Sequence, residues 1–481
     1  MPAGEKNFLN SILSLLLGVI IFAGLCSAQA FANDKSIDKS RITDDLIPLQ
    51  IESIPRRPRP ILELGPSFLA PGPIGAGFKL PTGAVWQPSL MIWGTNRTAF
   101  QTFDNSERDL TEWVQRFDLY ANLYLTFTER ILFGVRPFDK SGRFTRYTLN
   151  DSDNSPKSED GDFDDELNFN ITTLFFEGDF GELFPFLDEK DSRGLDIGIA
   201  VGRQAINFQD GVLVNDSLDA LGLSKINLKP SWAVNYRVTA LWAWDEVNRT
   251  NLGIEDNTAS LFGIFNEIDL RASTLEFDLI FLDADAETGD GFYGGVGATQ
   301  RFANYNTTFR LLGSAPVGNE TEHNQDGGLF IAEISTTPHA SNDFVYLSSF
   351  WAFNNFRSAS RDPSAGGPLG AVGVLFAAPG LGRYQAALDS SSNDVFGGAL
   401  GYQLFFNDSR QQLLFELGAR WANKNIGQRA VGFGPSFQTA IGSRTVIRID
   451  VYAAYGSKRL AEQNSKEDFR YGSRLEWLLR L

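Results

Sequence analysis

The sequence predicts an all-β fold: a transmembrane antiparallel β-barrel of about 18 strands behind an N-terminal signal peptide. Three observations carry this expectation. Aromatic residues make up 13% of the 481 positions, with 40 Phe and 46 Gly against 2 Met and 1 Cys; this is a vocabulary of strands and turns rather than of helices. Past the leader, no stretch approaches the ~20 consecutive apolar residues that a membrane helix requires. From residue 84 onward, short runs carry apolar side chains at every second position, the pattern of a strand with hydrocarbon on one side and water on the other.

The leader comes first. Lys6, an apolar stretch from Ile12 to Gly24 and the small-residue ending Ala30-Phe31-Ala32 predict a signal peptide over 1–32, so that the mature chain begins at Asn33. The sole cysteine, Cys26, lies inside this leader, and the mature protein is therefore expected to hold no thiol and no disulfide. A lipoprotein would need a small residue before that cysteine, where Leu25 stands. Residues 33–83 form a proline-rich lead-in, marked by Pro55-Arg56-Arg57-Pro58-Arg59-Pro60 and Pro71-Gly72-Pro73. Such a segment is extended, lying in the periplasm or folded into the lumen.

The barrel is expected over 84–481. Its clearest strand, 113–127, places Phe117, Leu119, Ala121 and Leu123 on one face and Arg116, Asp118, Tyr120 and Asn122 on the other. Over 232–244, Trp232, Val234, Tyr236, Val238, Ala240, Trp242 and Trp244 share a face opposite Asn235, Arg237 and Thr239, with aromatic residues at both ends, as two membrane interfaces favour. The strands fall near 84–101, 112–127, 130–146, 165–179, 194–206, 222–229, 231–245, 259–270, 273–285, 291–302, 305–314, 327–337, 343–353, 393–407, 410–422, 428–440, 443–456 and 467–481. Long connections are expected on the external side at 147–164, 207–221, 246–258, 315–326 and 354–392, and short turns on the other. The long connection at 180–193 breaks this rule and leaves sixteen strands as the alternative count. Leu475, Trp477, Leu479 and Leu481 alternate to the last position, as in a closing strand read by barrel assembly machinery.

Net charge is −17, which argues against nucleic-acid binding. Acidic residues crowd 151–166, where Asp160, Asp162 and Asp164 begin like a calcium loop, but Asp165 replaces the required glycine and Ile171 the closing glutamate. The lumen-facing set is expected to be nearly balanced: Arg116, Arg136, Arg237, Arg420, Arg448, Arg470 and Arg474 against Asp118, Glu276, Asp278, Glu416, Asp450 and Glu476, with Tyr120 among them. Such a lining selects permeants by size, charge and hydrogen bonding. The two histidines, His323 and His339, fall in predicted connections, and no nucleophile, metal cluster or cofactor motif assembles around them.

Val201-Gly202-Arg203-Gln204, followed by Gln209-Asp210-Gly211-Val212-Leu213-Val214, resembles the strand-to-loop passage of the outer-membrane porins of the alginate-export family. That resemblance implies an 18-stranded anion channel with Arg203 near an arginine-rich constriction, and Arg448 with it. The composite expectation is a non-enzymatic porin-like channel in the Gram-negative outer membrane for small hydrophilic solutes, anionic ones among them. Its partners would be outer-membrane lipid, lipopolysaccharide, the assembly machinery and the solute, and it would be a monomer or trimer. The alternative from another class is a surface barrel acting as an adhesin or partner-binding protein, with a blocked pore. Loop 354–392, apolar at Val372, Val374, Leu375 and Phe376, is a candidate for folding inward.

Overall fold

The computed structural model describes residues 58–65, 77–105, 108–126, 128–140, 142–153, 161–187, 194–250, 255–339, 341–422, 429–457 and 467–481. The expected signal peptide with Cys26, and most of the proline-rich segment, lie outside these residues. Eighteen strands form one closed antiparallel barrel. They are β1 (Ser89–Asp104), β2 (Arg108–Tyr124), β3, divided into Arg130–Val135 and Arg143–Asp153, β4 (Ile171–Asp179), β5 (Ile197–Phe208), β6 (Val214–Leu228), β7 (Asn235–Asp245), β8 (Ser260–Asp269) and β9 (Ser273–Asp283). The ring continues with β10 (Gly291–Phe302), β11 (Tyr305–Pro316), β12 (Gly327–Thr336), β13 (Phe344–Asn354), β14 (Val395–Phe406), β15 (Gln411–Ala422), β16 (Ala430–Ile441), β17 (Thr445–Ser457) and β18 (Glu467–Arg480).

β18 pairs back onto β1, with Leu475 opposite Phe100 and Arg480 opposite Thr95. Closure matters because hydrocarbon offers no partner to a backbone N–H or C=O, and only a ring leaves no edge. Below Thr95 the edge of β1 is taken by the lead-in: Leu62, Glu63 and Leu64 pair with Ile92, Met91 and Leu90. In its described residues the lead-in thus contributes to the wall.

Alternation sets the outer face. Phe262, Ile264, Phe277, Leu279, Val296, Leu311, Leu400 and Leu417 point outward and exposed. Near the ends of the strands that carry the long loops, Trp242 stacks on Phe262 and Phe396 on Trp421. Trp232, Phe302 and Tyr305 lie exposed toward the opposite rim. An apolar band between two aromatic girdles is what a bilayer's hydrocarbon and its two interfaces select. The short turns use residues that tolerate left-handed backbone: Asn407, Asp408 and Ser409 all have positive φ.

Several boundaries differ from the sequence reading. The 180–193 connection begins with a one-turn helix, α1 (Phe180–Leu183), capped by Asp179, whose carboxylate accepts from Gly181 N at 2.8 Å. Its described part, 180–187, is therefore folded without forming a strand, and the strand count remains eighteen. The expected loops at 147–164 and 207–221 shrink, since β3 runs to Asp153 and β6 starts at Val214. The strands 84–101 and 112–127 run on to Asp104 and back to Arg108, leaving only 105–107 between them. The reason is common to these cases: polar residues that read as loop, among them Asp151 and Asp216, are buried on the inner face and paired there.

Two connections fold into the barrel. The short one, 209–213, turns through left-handed Gln209 and Asp210 and buries Val212 and Leu213 completely. The long one, 355–394, docks on β6, where Ser360 and Arg361 pair in parallel with Val214 and Asn215. It also reaches β1 and β2, where Gln101 and Arg116 donate to the carbonyls of Leu381 and Gly380. A segment touching both β6 and β1 in a closed ring has to cross its interior, so we call it the strap. The fold expected for 354–392 is thereby found.

Strap and short loop bring Phe356, Leu369, Val372 and Phe376 into one apolar cluster with inward side chains of β6–β13, including Leu218, Leu241, Leu261, Phe265, Ile280, Leu312, Ile331 and Phe350, while Leu375 and Leu388 lie against Gly418, Gly432 and Gly434 of β15 and β16. This part of the interior is thus an apolar core. Phe376→Ala should remove about 3–5 kcal/mol of this packing. The expected readout is faster limited proteolysis within 355–394 in detergent, with the heat-resistant barrel band retained; unchanged cleavage would show that the strap is held elsewhere.

Candidate functional site

The inner face of β14–β18 and β1–β3 carries charges organised in rows among buried apolar side chains such as Val114, Phe144 and Tyr452. Register puts Arg448 opposite Glu476 and Asp450 opposite Arg474. From there a chain of ion pairs runs Asp450–Arg474 (2.7 Å), Arg474–Glu476 (2.9 Å) and Glu476–Arg97 (2.6 Å), crossing from β17 through β18 to β1. A second row links Arg116–Asp118 (3.0 Å), Asp118–Arg136 (2.7 Å) and Arg136–Asp139 (3.0 Å). It is made possible by β3, whose halves both pair with β2, at Leu119–Val135 and Gln115–Thr145, and bulge between. Alternating cations and anions compensate one another's burial, as removal of one partner from such a row is strongly destabilising.

The strap is fastened to this wall. Consecutive carbonyls of Pro379, Gly380 and Leu381 accept from Arg97, Arg116 and Gln101 at 3.2 Å each. Its own Arg383 enters the wall, with Nε 2.9 Å from Glu112, Nη1 3.2 Å from Asp151 and Nη2 donating to Thr148 at 2.8 Å. Gly382 has to be glycine: its φ is +66°, and a Cβ there would lie 2.5 Å from Glu112 Oε1. Tyr384 packs edge-on against Phe103 and Tyr452 and carries Arg474 over its ring at 5.9 Å. Burial lifts its phenol well above the ordinary value, so the ring stays neutral. At the β6 end, Arg361 donates to the carbonyls of Gly366 and Gly367 and, across to the short loop, to Gly211. Burial lowers it to about 10, still cationic at neutral pH.

The residues singled out from sequence take several places. Arg116, Asp118, Arg136, Asp450, Arg474 and Glu476 form the rows above. Glu416 accepts from Val374 N (2.9 Å), Leu375 N (2.7 Å) and the Tyr346 hydroxyl, and Arg420 pairs with Asp389, so both hold the strap. Tyr120 stacks on Trp93, and Arg470 is buried on the inner face. Asp278 accepts from Gln209 at 2.7 Å and Glu276 lies beside it, below the short loop. Arg237 pairs with Glu267 in a half-exposed position toward the short-turn rim.

Arg203 differs from all of these. It shares the outward face with Val201 and pairs with Asp219 (2.8 Å) and Glu246 (2.7 Å), so it lines no part of the lumen; nothing in β5 reverses the alternation that turns it outward. Asp164 pairs with Arg146, Asp162 accepts from Phe163 N, and Asp160 lies outside the described residues. Among the described residues no group of three or more potential metal ligands occurs.

Sequence reasoning missed Arg97, Glu112 and Arg383. Arg97 sits two places before Ala99, which is buried on the same inner face, so strand parity held the signal. For Arg383 no periodic signal exists, because it lies in a connection.

Among the described residues several cavities remain, three of which bear on the site. A lower one of about 470 Å³ is lined by Tyr346, Gln403, Gln412, Ser436, Arg448, Asp450 and Arg474 together with the underside of the strap. An upper one of about 370 Å³ lies between Gly142, Phe144 and the strap's other face. A third, of about 620 Å³, faces β4–β7. In the lower cavity Arg448 donates to Gln438 Oε1, at 2.8 Å from Nη2 and 3.2 Å from Nε, and among the described residues no carboxylate lies at ion-pair distance from it, Glu476 standing opposite in register.

No protein-family model and no curated protein sequence matches the chain. Solved structures do. Pseudomonas aeruginosa OccK9 (OpdG) superposes with a TM-score of 0.52 at 10% identity, over 82% of this chain and 98% of its own. Acinetobacter baumannii OccAB3 gives 0.51 at 12% identity, over 82% and 99%. The chain shares their fold, a closed eighteen-stranded antiparallel barrel.

Arg383→Ala should loosen the strap, because Glu112 would stay buried without its cation, a loss on the order of 3–5 kcal/mol. Larger single-channel current and noise are the expected signs, and a double-mutant cycle with Glu112→Gln should return a coupling above ~1 kcal/mol. Additive effects would sink this assignment.

Proposed function

We propose that the protein is a passive outer-membrane channel for small hydrophilic solutes with a preference for anions. The supporting observation is the contrast at the lower cavity: most of the arginines named above are tied to carboxylates or to strap carbonyls, while Arg448 presents its charge with only a glutamine as partner. Glu476 stands opposite it in register and Asp450 lines the same cavity, but a guanidinium without a direct carboxylate contact still offers its N–H groups to an anion in a narrow aqueous passage. Around it, Gln403, Gln412, Ser436 and Tyr346 offer neutral hydrogen-bonding groups suited to hydroxyl-rich or carboxylated solutes.

The alginate-export resemblance would extend this to acidic saccharides. Its motif builds the inward-turned 209–213 loop, but its arginine, Arg203, is outside the lumen, so the anion preference rests on Arg448 alone. On this reading the partners are outer-membrane lipid, lipopolysaccharide, the assembly machinery and the solute, with the chain as a monomer or trimer and no catalytic step.

Refolded protein in a planar bilayer should conduct. Arg448→Ala should move the zero-current potential in a salt gradient toward cations, by about 1 kcal/mol or roughly fivefold in permeability ratio. Absence of current at any voltage would favour the surface-binding alternative with a blocked pore.

A further inference from the structure

We infer that the barrel wall has a lateral entrance: a single-chain amphiphile with an uncharged, hydroxyl-bearing head passes from the outer leaflet between β4 and β5 into the cavity of about 620 Å³ that faces β4–β7. This route is separate from the space beside Arg448 and does not depend on it. It begins with a missing piece of sheet. β5 keeps its pairing with β6 from Ile197 to Phe208, but on its other side β4 accompanies it only from Gly198 to Arg203, where Leu174 is the last partner. Gly202 lets the two strands touch just below that point: its φ is +119°, and a Cβ there would stand 2.2 Å from the Leu174 carbonyl oxygen. The residues that precede β4 lie along β3 instead, with Asn168 N on the Pro137 carbonyl at 2.9 Å, Asn168 Nδ2 on the Asp139 carbonyl at 3.1 Å and Glu166 N on Thr145 Oγ1 at 3.1 Å. Among the described residues no hydrogen bond joins 165–170 to 204–208. At about 3.3 Å per residue, roughly 16 Å of the β5 edge is left open.

The level of this slit explains how backbone can stay unpaired there. Arg203, at its foot, faces outward and pairs with Asp219 and Glu246; charges on the outer face mark the upper limit of the apolar band, so water can hydrate an edge that hydrocarbon could not. The outer margin is apolar: Leu167 and Phe169 are 60% and 76% exposed, and Ile171, Leu174 and Val201 are exposed beside them. Inside, the cavity touches every residue from Gln204 to Phe208. A space on the inner face alone would meet mainly alternate side chains, whereas five residues in a row are met by a space lying along an open edge. From there it descends to Thr128, Arg130 and Asp179 at the short-turn rim. Its upper end is apolar, with Ile206, Phe208 and Leu241, and lower down it offers the hydroxyls of Ser224, Thr239 and Thr128. The charges at the foot are spent, Arg130 on Glu177 at 2.6 Å and Asp179 on Gly181 N at 2.8 Å. A chain held above and a neutral head held below fit this gradient, in a volume typical of small-molecule sites; an ionic head would find no free counter-ion.

Bromine quenching tests the entrance. Acrylodan is attached to a single cysteine, Thr239→Cys on the inner face or Val238→Cys on the lipid face, in the chain from Asn33 onward, which has no cysteine of its own. The protein is reconstituted in phosphatidylcholine vesicles with and without monostearoylglycerol brominated on its chain. The dye at Val238→Cys should be quenched in every background, which reports that the barrel is in the bilayer. The dye at Thr239→Cys should be quenched as well, and should lose that quenching when Ala205→Phe or Asn207→Phe fills the slit. An unquenched Thr239→Cys beside a quenched Val238→Cys overturns the inference. Quenching at Thr239→Cys that survives both phenylalanines overturns it too, since the amphiphile would then arrive from the short-turn rim.

Discussion

Hydrocarbon cannot hydrogen-bond to a peptide group, and nearly everything else in this molecule follows from that constraint. It forces the sheet to close, and closing fixes the strand parity: a side chain that is not in lipid has to be inside. On β14–β18 and β1–β3 the inside positions are filled by charges that neutralise one another along rows. On β6–β13 many of them are leucine, isoleucine and phenylalanine, which water would wet at a cost of about 25 cal/mol for each Å² of apolar surface. The infolded connections remove that cost by supplying the other half of a core. The strap is thus as much a product of the apolar inner face as a narrowing of the channel.

This explains why the strap is fastened so differently at its two ends. At β6 it is anchored by backbone pairing and by Arg361, which donates to Gly366 and Gly367 within the strap and to Gly211 in the short loop. At β1–β3 it is anchored by side chains of the wall, through three successive carbonyls and the inserted Arg383. Held at both ends and packed in the middle, it is a fixed crossbar. The arginines that secure it are occupied, and the chemistry offered to a solute falls to residues such as Arg448 that have little structural work.

Much of the wall was legible because period-two alternation is a local signal, and Phe117 to Leu123 or Trp232 to Trp244 display it over a whole strand. Parity likewise identified Arg116, Asp118, Asp450, Arg474 and Glu476 as inward. It failed in two physical situations. Where acidic residues continue a strand, as at Asp151 and Asp216, composition resembles a loop and only the distant partner, Arg108 or Asn248, reveals the strand. Where function lies in a connection, as with Arg383 and Tyr384, no period exists and position depends on contacts hundreds of residues away. Arg203 failed for the opposite reason: a short motif suggested the lumen, while its own parity, shared with Val201, already turned it outward.

The seam between β18 and β1 has a temporal meaning as well. Arg97 and Glu476, joined there, are 379 residues apart in sequence, so the loop that has to be closed is nearly the entire polypeptide. Long-range closures of this kind are slow and come late. The ring can therefore complete only after its last strand has been synthesised and delivered, and until then the first strand carries an open edge. The pairing of Leu62–Leu64 along the lower part of that edge gives the waiting strand a local mate that arrives with it, shortening the stretch of backbone left bare during the interval.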